Sequence, residues 1–182
     1  MGEAPRTERN RRMTTGAGLL LVPLLLLAAA TAILIRRGVP LPHLAVGLVL
    51  LPPLALKMAT SGYRFARYHL GDPGYVAAGP PAPGLRPIAP PLVLSILVLM
   101  VSGLALWLDP GASTTGLWLA LHKLSFLIFG ACVGIHVLVH LLRSPTLDLE
   151  RRLPGGGHRL AYAAASLGLG IALAVVGLTW RP

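Results

Sequence analysis

Three features of this 182-residue sequence predict an all-α integral membrane protein, a bundle of about five transmembrane helices. Hydrophobic residues make up 54% and charged residues only 12%, about half the charged share of a soluble domain. Such a chain cannot cover a soluble surface with charge, and it lacks the polar bias of a disordered one. Five stretches reach the roughly 20 apolar residues that cross about 30 Å of hydrocarbon. The acids, six against sixteen Lys and Arg, are absent from all five.

The stretches follow a basic tail, 1–15, and together form one membrane domain over 16–182. The first, 16–35, carries no charge. Basic residues before it and Ala28-Ala29-Ala30 after its Leu run resemble a signal peptide. Its apolar length exceeds an ordinary h-region, so it is read as a retained helix, and Arg11-Arg12 lacks the sequel of a twin-arginine signal. The second, 41–61, is interrupted by Lys57 and by Pro52-Pro53, which predicts a kink. The third is 88–108. The fourth, 116–142, holds Lys123, His122, His136 and His140, and the fifth is 160–179.

Orientation follows from the basic residues between the spans. Arg6, Arg9, Arg11, Arg12, Arg64, Arg67, Arg86, Arg143, Arg151, Arg152 and Arg159 fall on one side, and Arg36, Arg37 and Arg181 on the other. The N-terminus is therefore expected in the cytoplasm and the C-terminus outside. Trp107, Trp118 and Trp180 fall at outer ends, and Tyr63, Tyr68 and Tyr162 at inner ends, as interfacial rings should. The inner connections 71–87 and 143–159 are rich in Gly and Pro, so neither is helical throughout. The outer connections are short, and most polar surface for a docking partner lies inside. Cys132 stands alone, a small apolar filler rather than a disulfide or metal ligand.

Ionisable residues within spans are costly and point to function. Here they are His43, Lys57, His122, Lys123, His136 and His140. No intramembrane carboxylate is present, which argues against a carboxylate proton relay, a di-iron site or a hard-cation site. His122 and His136 are fourteen residues apart, within roughly 40° on one helix face and about 21 Å along it. His140 returns to the same face. Neutral imidazole ligates haem iron, and a bis-His haem needs one imidazole from each of two facing helices at equal depth. His43 and His122 each open a helix at its outer end and so match in depth. Gly47, one turn after His43, leaves room for a flat macrocycle. Arg36, Arg37 and Lys123 are placed to neutralise outer propionates. Fourteen residues after His43 comes Lys57, so His136 lacks an obvious inner partner.

These residues resemble the prokaryotic membrane cytochrome b class, the b-type subunits of nickel–iron hydrogenases, formate dehydrogenases and molybdopterin oxidoreductases. The resemblance rests on Leu121-His122-Lys123 through His136-Val137-Leu138-Val139-His140. It rests also on His43-Leu44-Ala45-Val46-Gly47 through Thr60-Ser61-Gly62-Tyr63-Arg64-Phe65-Ala66-Arg67-Tyr68, and covers about 41–142. It implies a four-helix haem-binding core, with haem b ligated outside by His43 and His122. A second, inner haem would use His136, with His140 as substitute, and Lys57 departs from the expected inner ligand. The implied function is electron transfer between the quinone pool and a partner redox subunit, such as a molybdopterin oxidoreductase, in a bacterial-type cytoplasmic membrane. The chain would then be a subunit of an oxidoreductase rather than a complete enzyme.

Two other readings compete. A cofactor-free membrane scaffold or transporter would use its histidines as polar contacts between helices, each worth about 1 kcal/mol. A ferric or quinone reductase would need an open haem face, whereas both outer ligands are present. Nucleic-acid binding has no support, because the arginines scatter over three inner segments as topology requires.

Overall fold

The computed structural model describes residues 6–35, 38, 40–80, 85–109, 111, 113–143 and 156–179, with the side chains of 140–143 and 156–160 outside the description. Among these residues the regular elements of any length are helices: α1 (Arg6–Ile35), α2 (Leu41–His69), α3 (Pro73–Ala77), α4 (Ala89–Leu108), α5 (Thr115–Arg143) and α6 (Gly156–Thr179). All but α3 are long and apolar enough to cross a membrane, the architecture of a multi-pass membrane protein. Large apolar side chains such as Leu26, Leu94, Leu127 and Val176 are more than half exposed, as lipid-facing residues are.

α1 and α2 run furthest beyond what apolar length alone predicts. α1 begins at Arg6, so the described part of the basic tail is helical. No Gly or Pro intervenes between 6 and 15, and Glu8 accepts from Arg11 Nε at 2.8 Å and Arg12 Nε at 2.6 Å, pairs at helical spacing. α2 continues past 61 to His69, because nothing after Pro53 breaks the helix before Gly71.

The chain divides into two compact units, 1–80 with 153–182, and 81–152. In the first, α2 packs against α1, α3 and α6. Pro42 lies in the opening turn of α2, and Pro52 and Pro53 lie within it. A proline has no N–H to give the carbonyl four residues earlier. Pro53 therefore leaves the Val49 carbonyl without its helical donor, and Gly170 of α6 lies against that carbonyl. A Cβ built on Gly170 would collide with Val49 O and stand 3.0 Å from the Val49 carbonyl carbon and Cα. Only glycine lets the two backbones meet there.

α2 ends in a Schellman turn. Gly71, at φ +77°, donates to Tyr68 O at 3.2 Å, and Asp72 N–H donates to Arg67 O at 3.0 Å, the two bonds of that motif. Asp72 then caps α3, its carboxylate accepting from the N–H groups of Gly74 and Tyr75 at 3.0 and 3.4 Å, with Pro73 at the start of the helix. The turn brings the buried Tyr75 ring edge-on to Tyr63, centroids 5.9 Å apart. In the second unit, α4 and α5 form a hairpin whose buried residues include Ser95, Ile96, Leu99, Ser102, Ser125 and Phe129.

Candidate functional site

Each unit holds one of the two histidines expected to ligate the outer haem iron, and each of these imidazoles is gripped in the same way by the helix before it. In the first unit, His43 sits in the opening turn of α2 and reaches α1. Its Nδ1 lies 3.1 Å from Ala28 O and 3.3 Å from Thr31 Oγ1. Thr31 donates its own hydroxyl proton to Ala28 O at 2.9 Å, so its oxygen faces His43 as an acceptor. In the second unit, His122 of α5 reaches α4. Its Nδ1 lies 3.0 Å from Leu99 O and 3.2 Å from Ser102 Oγ. Ser102 donates to Val98 O at 2.6 Å and to Leu99 O at 3.2 Å, so it too presents an acceptor.

The chemistry of both clamps is the same. A carbonyl oxygen only accepts, so Nδ1 must carry the proton, and in neutral imidazole the basic lone pair is then on Nε2. The repeated unit is a carbonyl at one position and a hydroxyl three residues later: Ala28 with Thr31, and Leu99 with Ser102. That spacing places both groups on one helix face. Ser102 is fully buried, and Gly103 beside it is required. A Cβ there would stand 2.9 Å from His122 Cε1 and 3.3 Å from Nδ1.

The α1–α2 seam carries two further polar rungs. Lys57 Nζ donates to Thr14 O at 2.9 Å and lies 3.2 Å from where a Cβ on Gly18 would be. Asn10 Nδ2 donates to Thr60 O at 3.1 Å. Lys57 is thus tied to the backbone of α1.

The remaining expected residues are placed as follows. His136 is half-buried on α5, and Lys123 is exposed one residue after His122. His140 belongs to α5, with its side chain outside the described residues, as are Arg36 and Arg37 altogether. A Cβ on Gly47 meets nothing within 4 Å, so the turn after His43 is open as expected. Among the described residues no three His, Cys, Asp or Glu side chains converge. Sequence reasoning missed Thr31, Ser102 and Gly103. Their signal was a hydroxyl inside an otherwise apolar run of the helix preceding each histidine.

No protein-family model, curated protein or solved structure matches this chain.

Proposed function

We propose that the protein is a b-type cytochrome of a bacterial-type cytoplasmic membrane, N-terminus inside, passing electrons between the quinone pool and a partner redox subunit such as a molybdopterin oxidoreductase. In this reading the Nε2 atoms of His43 and His122 ligate haem iron, and haem supplies one-electron chemistry. The observation that carries it is the repeated clamp. Histidines that hold metals commonly donate the other ring N–H to a carbonyl, which fixes tautomer and orientation and raises ligand basicity. The imidazoles of His43 and His122 are set up in that way. The donor set also fits the group, being two imidazoles in apolar helices with no competing carboxylate nearby in sequence.

Each residue then has a defined task. Thr31 and Ser102 orient the imidazoles. Arg36, Arg37 and Lys123 are the candidates for pairing with outer propionates. His136 is the candidate for a second haem, with His140 as its substitute. Lys57 supplies no inner ligand in this account, because its amine is engaged by Thr14 O.

A second reading has its own support. The rungs Lys57–Thr14 and Asn10–Thr60 do for the α1–α2 seam what His43 does, so the clamps also serve a cofactor-free scaffold in which all four are helix–helix contacts. A haem count and a reduced-minus-oxidised spectrum of purified protein separate the two. The cytochrome reading expects a Soret band, split α/β bands and loss of the low-spin signal in His43→Ala and His122→Ala. Thr31→Val and Ser102→Ala should keep the spectrum and raise the midpoint potential, since a less basic imidazole favours the ferrous state less weakly. Absence of a Soret band from protein expressed with ample haem eliminates this reading and leaves the scaffold.

A further inference from the structure

The first unit also contains a cleft that the haem reading does not use. It measures about 300 Å³ and is lined by Thr7, Glu8, Arg11, Arg64, Tyr75 and Ala78. Three elements build it: the first turns of α1, the far end of α2, and α3. The Schellman turn and the Asp72 cap fold α3 back until Gly74 lies against Thr7, where an added Cβ would be 3.3 Å from Thr7 Cγ2. Arg67, paired with Asp72 and lying 5.9 Å over the Tyr63 ring, holds that turn in place.

We propose that this cleft binds a phosphate group, presented by an anionic membrane lipid. Tyr75 is 4% exposed, and its hydroxyl has no hydrogen-bond partner. A buried donor left unmade is costly, and a ligand oxygen would satisfy it. Burial, reinforced by Tyr63 and Asp72, raises the Tyr75 pKa, so the hydroxyl stays a donor. Arg64 gives one N–H to Gly79 O at 3.4 Å, and Arg11 gives Nε to Glu8. A guanidinium has five N–H donors in a planar fork suited to phosphate, more than these contacts use. The Glu8 carboxylate opposes an anion, but it is already bridged by both Arg11 and Arg12. Counting Arg11, Arg12, Arg64 and Arg67 against Glu8 and Asp72 leaves two positive charges around the cleft. A neutral ring such as a quinone would want apolar walls, and Ala78 is the only aliphatic side chain among the six. Basic pockets at the ends of membrane helices take lipid headgroups, and the cleft lies where α1 begins and α2 ends.

The test uses the full chain in uncharged detergent, titrated with dihexanoyl phosphatidic acid, dihexanoylglycerol or inorganic phosphate, and read by native mass spectrometry and thermal shift. Saturable binding of the phosphatidic acid and none of the glycerol is expected. Arg64→Gln should weaken it about tenfold, and Tyr75→Phe, which alters no charge, about threefold to tenfold. Arg86→Gln, outside the cleft, should leave binding unchanged. Inorganic phosphate binding as tightly as the lipid, with the same losses, supports the phosphate chemistry and makes a free anion the source. Equal lipid binding by wild type and Tyr75→Phe, or equal losses in Arg64→Gln and Arg86→Gln, overturns the proposal. The haem spectrum should be the same in all variants, so failure here and failure of the cytochrome reading are separate results.

Discussion

Replacing Gly103 by Ala tests the α4–α5 clamp with a single methyl group. The new Cβ would stand 2.9 Å from His122 Cε1 and 3.3 Å from Nδ1, inside ordinary contact, so the ring must retreat by about 0.5 Å. Nδ1 is now 3.0 Å from Leu99 O, and the same retreat carries it to about 3.5 Å, where the bond is lost. A lost hydrogen bond costs about 0.5–1.5 kcal/mol, and overpacking a tight site about 1–3 kcal/mol. A loss of about 2–4 kcal/mol follows, or a fall in Tm of roughly 4–15 °C for a chain of this size. Thermal unfolding of detergent-solubilised protein measures it. The stringent form is a double-mutant cycle. In a His122→Ala background the methyl group has room, and most of the Gly103→Ala cost should vanish. An equal cost in both backgrounds would refute the clamp geometry.

Gly170→Ala should part α2 from α6, because its methyl group collides with Val49 O. A loss of about 1–3 kcal/mol is expected, and Gly168→Ala, whose Cβ meets nothing within 4 Å, should cost less in the same melt. Lys57→Met removes the bond to Thr14 O together with a half-buried cation, and because these effects oppose each other the stability should change by less than about 1 kcal/mol. A loss of several kcal/mol would instead make Lys57 a central strut. Burial works against the Asp72 charge, but the Tyr75 and Gly74 N–H groups and Arg67 outweigh it and lower its pKa. A carboxylate with a folded pKa below its unfolded value stabilises the fold above the unfolded value, and that contribution disappears as pH falls through the folded one. Proteolysis at the α2–α3 turn should therefore accelerate below about pH 4 in wild type, and Asp72→Ala, which leaves the Gly74 and Tyr75 N–H groups without their cap, should be cut readily at all pH values. Identical pH profiles for the two would reject the cap.

How much was legible in advance can be judged residue by residue. The second span was bounded at 61 because hydropathy falls at Tyr63 and Arg64. The helix continues to His69, since backbone hydrogen bonding does not depend on apolarity, no proline lies between Pro53 and Pro73, and Gly62 is carried within the helix. The Pro52-Pro53 pair was legible as a disturbance. Its partner was not, because Gly170 lies far along the chain and nothing local marks it as the residue that meets Val49. His43 and His122 stood out as ionisable groups in apolar runs. Thr31 and Ser102 did not, since a hydroxyl in a helix normally bonds back to its own turn, as both of these also do.

The sequence by itself determined that the chain spans a membrane several times and where its histidines fall along each span. Those properties are local, set by the number of consecutive apolar residues and by the cost of a charge among them. Tertiary structure decided which carbonyls hold the imidazoles, and hence that Nδ1 carries the proton. It also decided that α6 meets α2 at the carbonyl Pro53 leaves without a donor, and that a five-residue helix folds back to close an arginine-lined cleft. Each of these depends on atoms brought together from distant positions, and lipid-facing helices select their partners through such close contacts rather than through apolar length, which all five share.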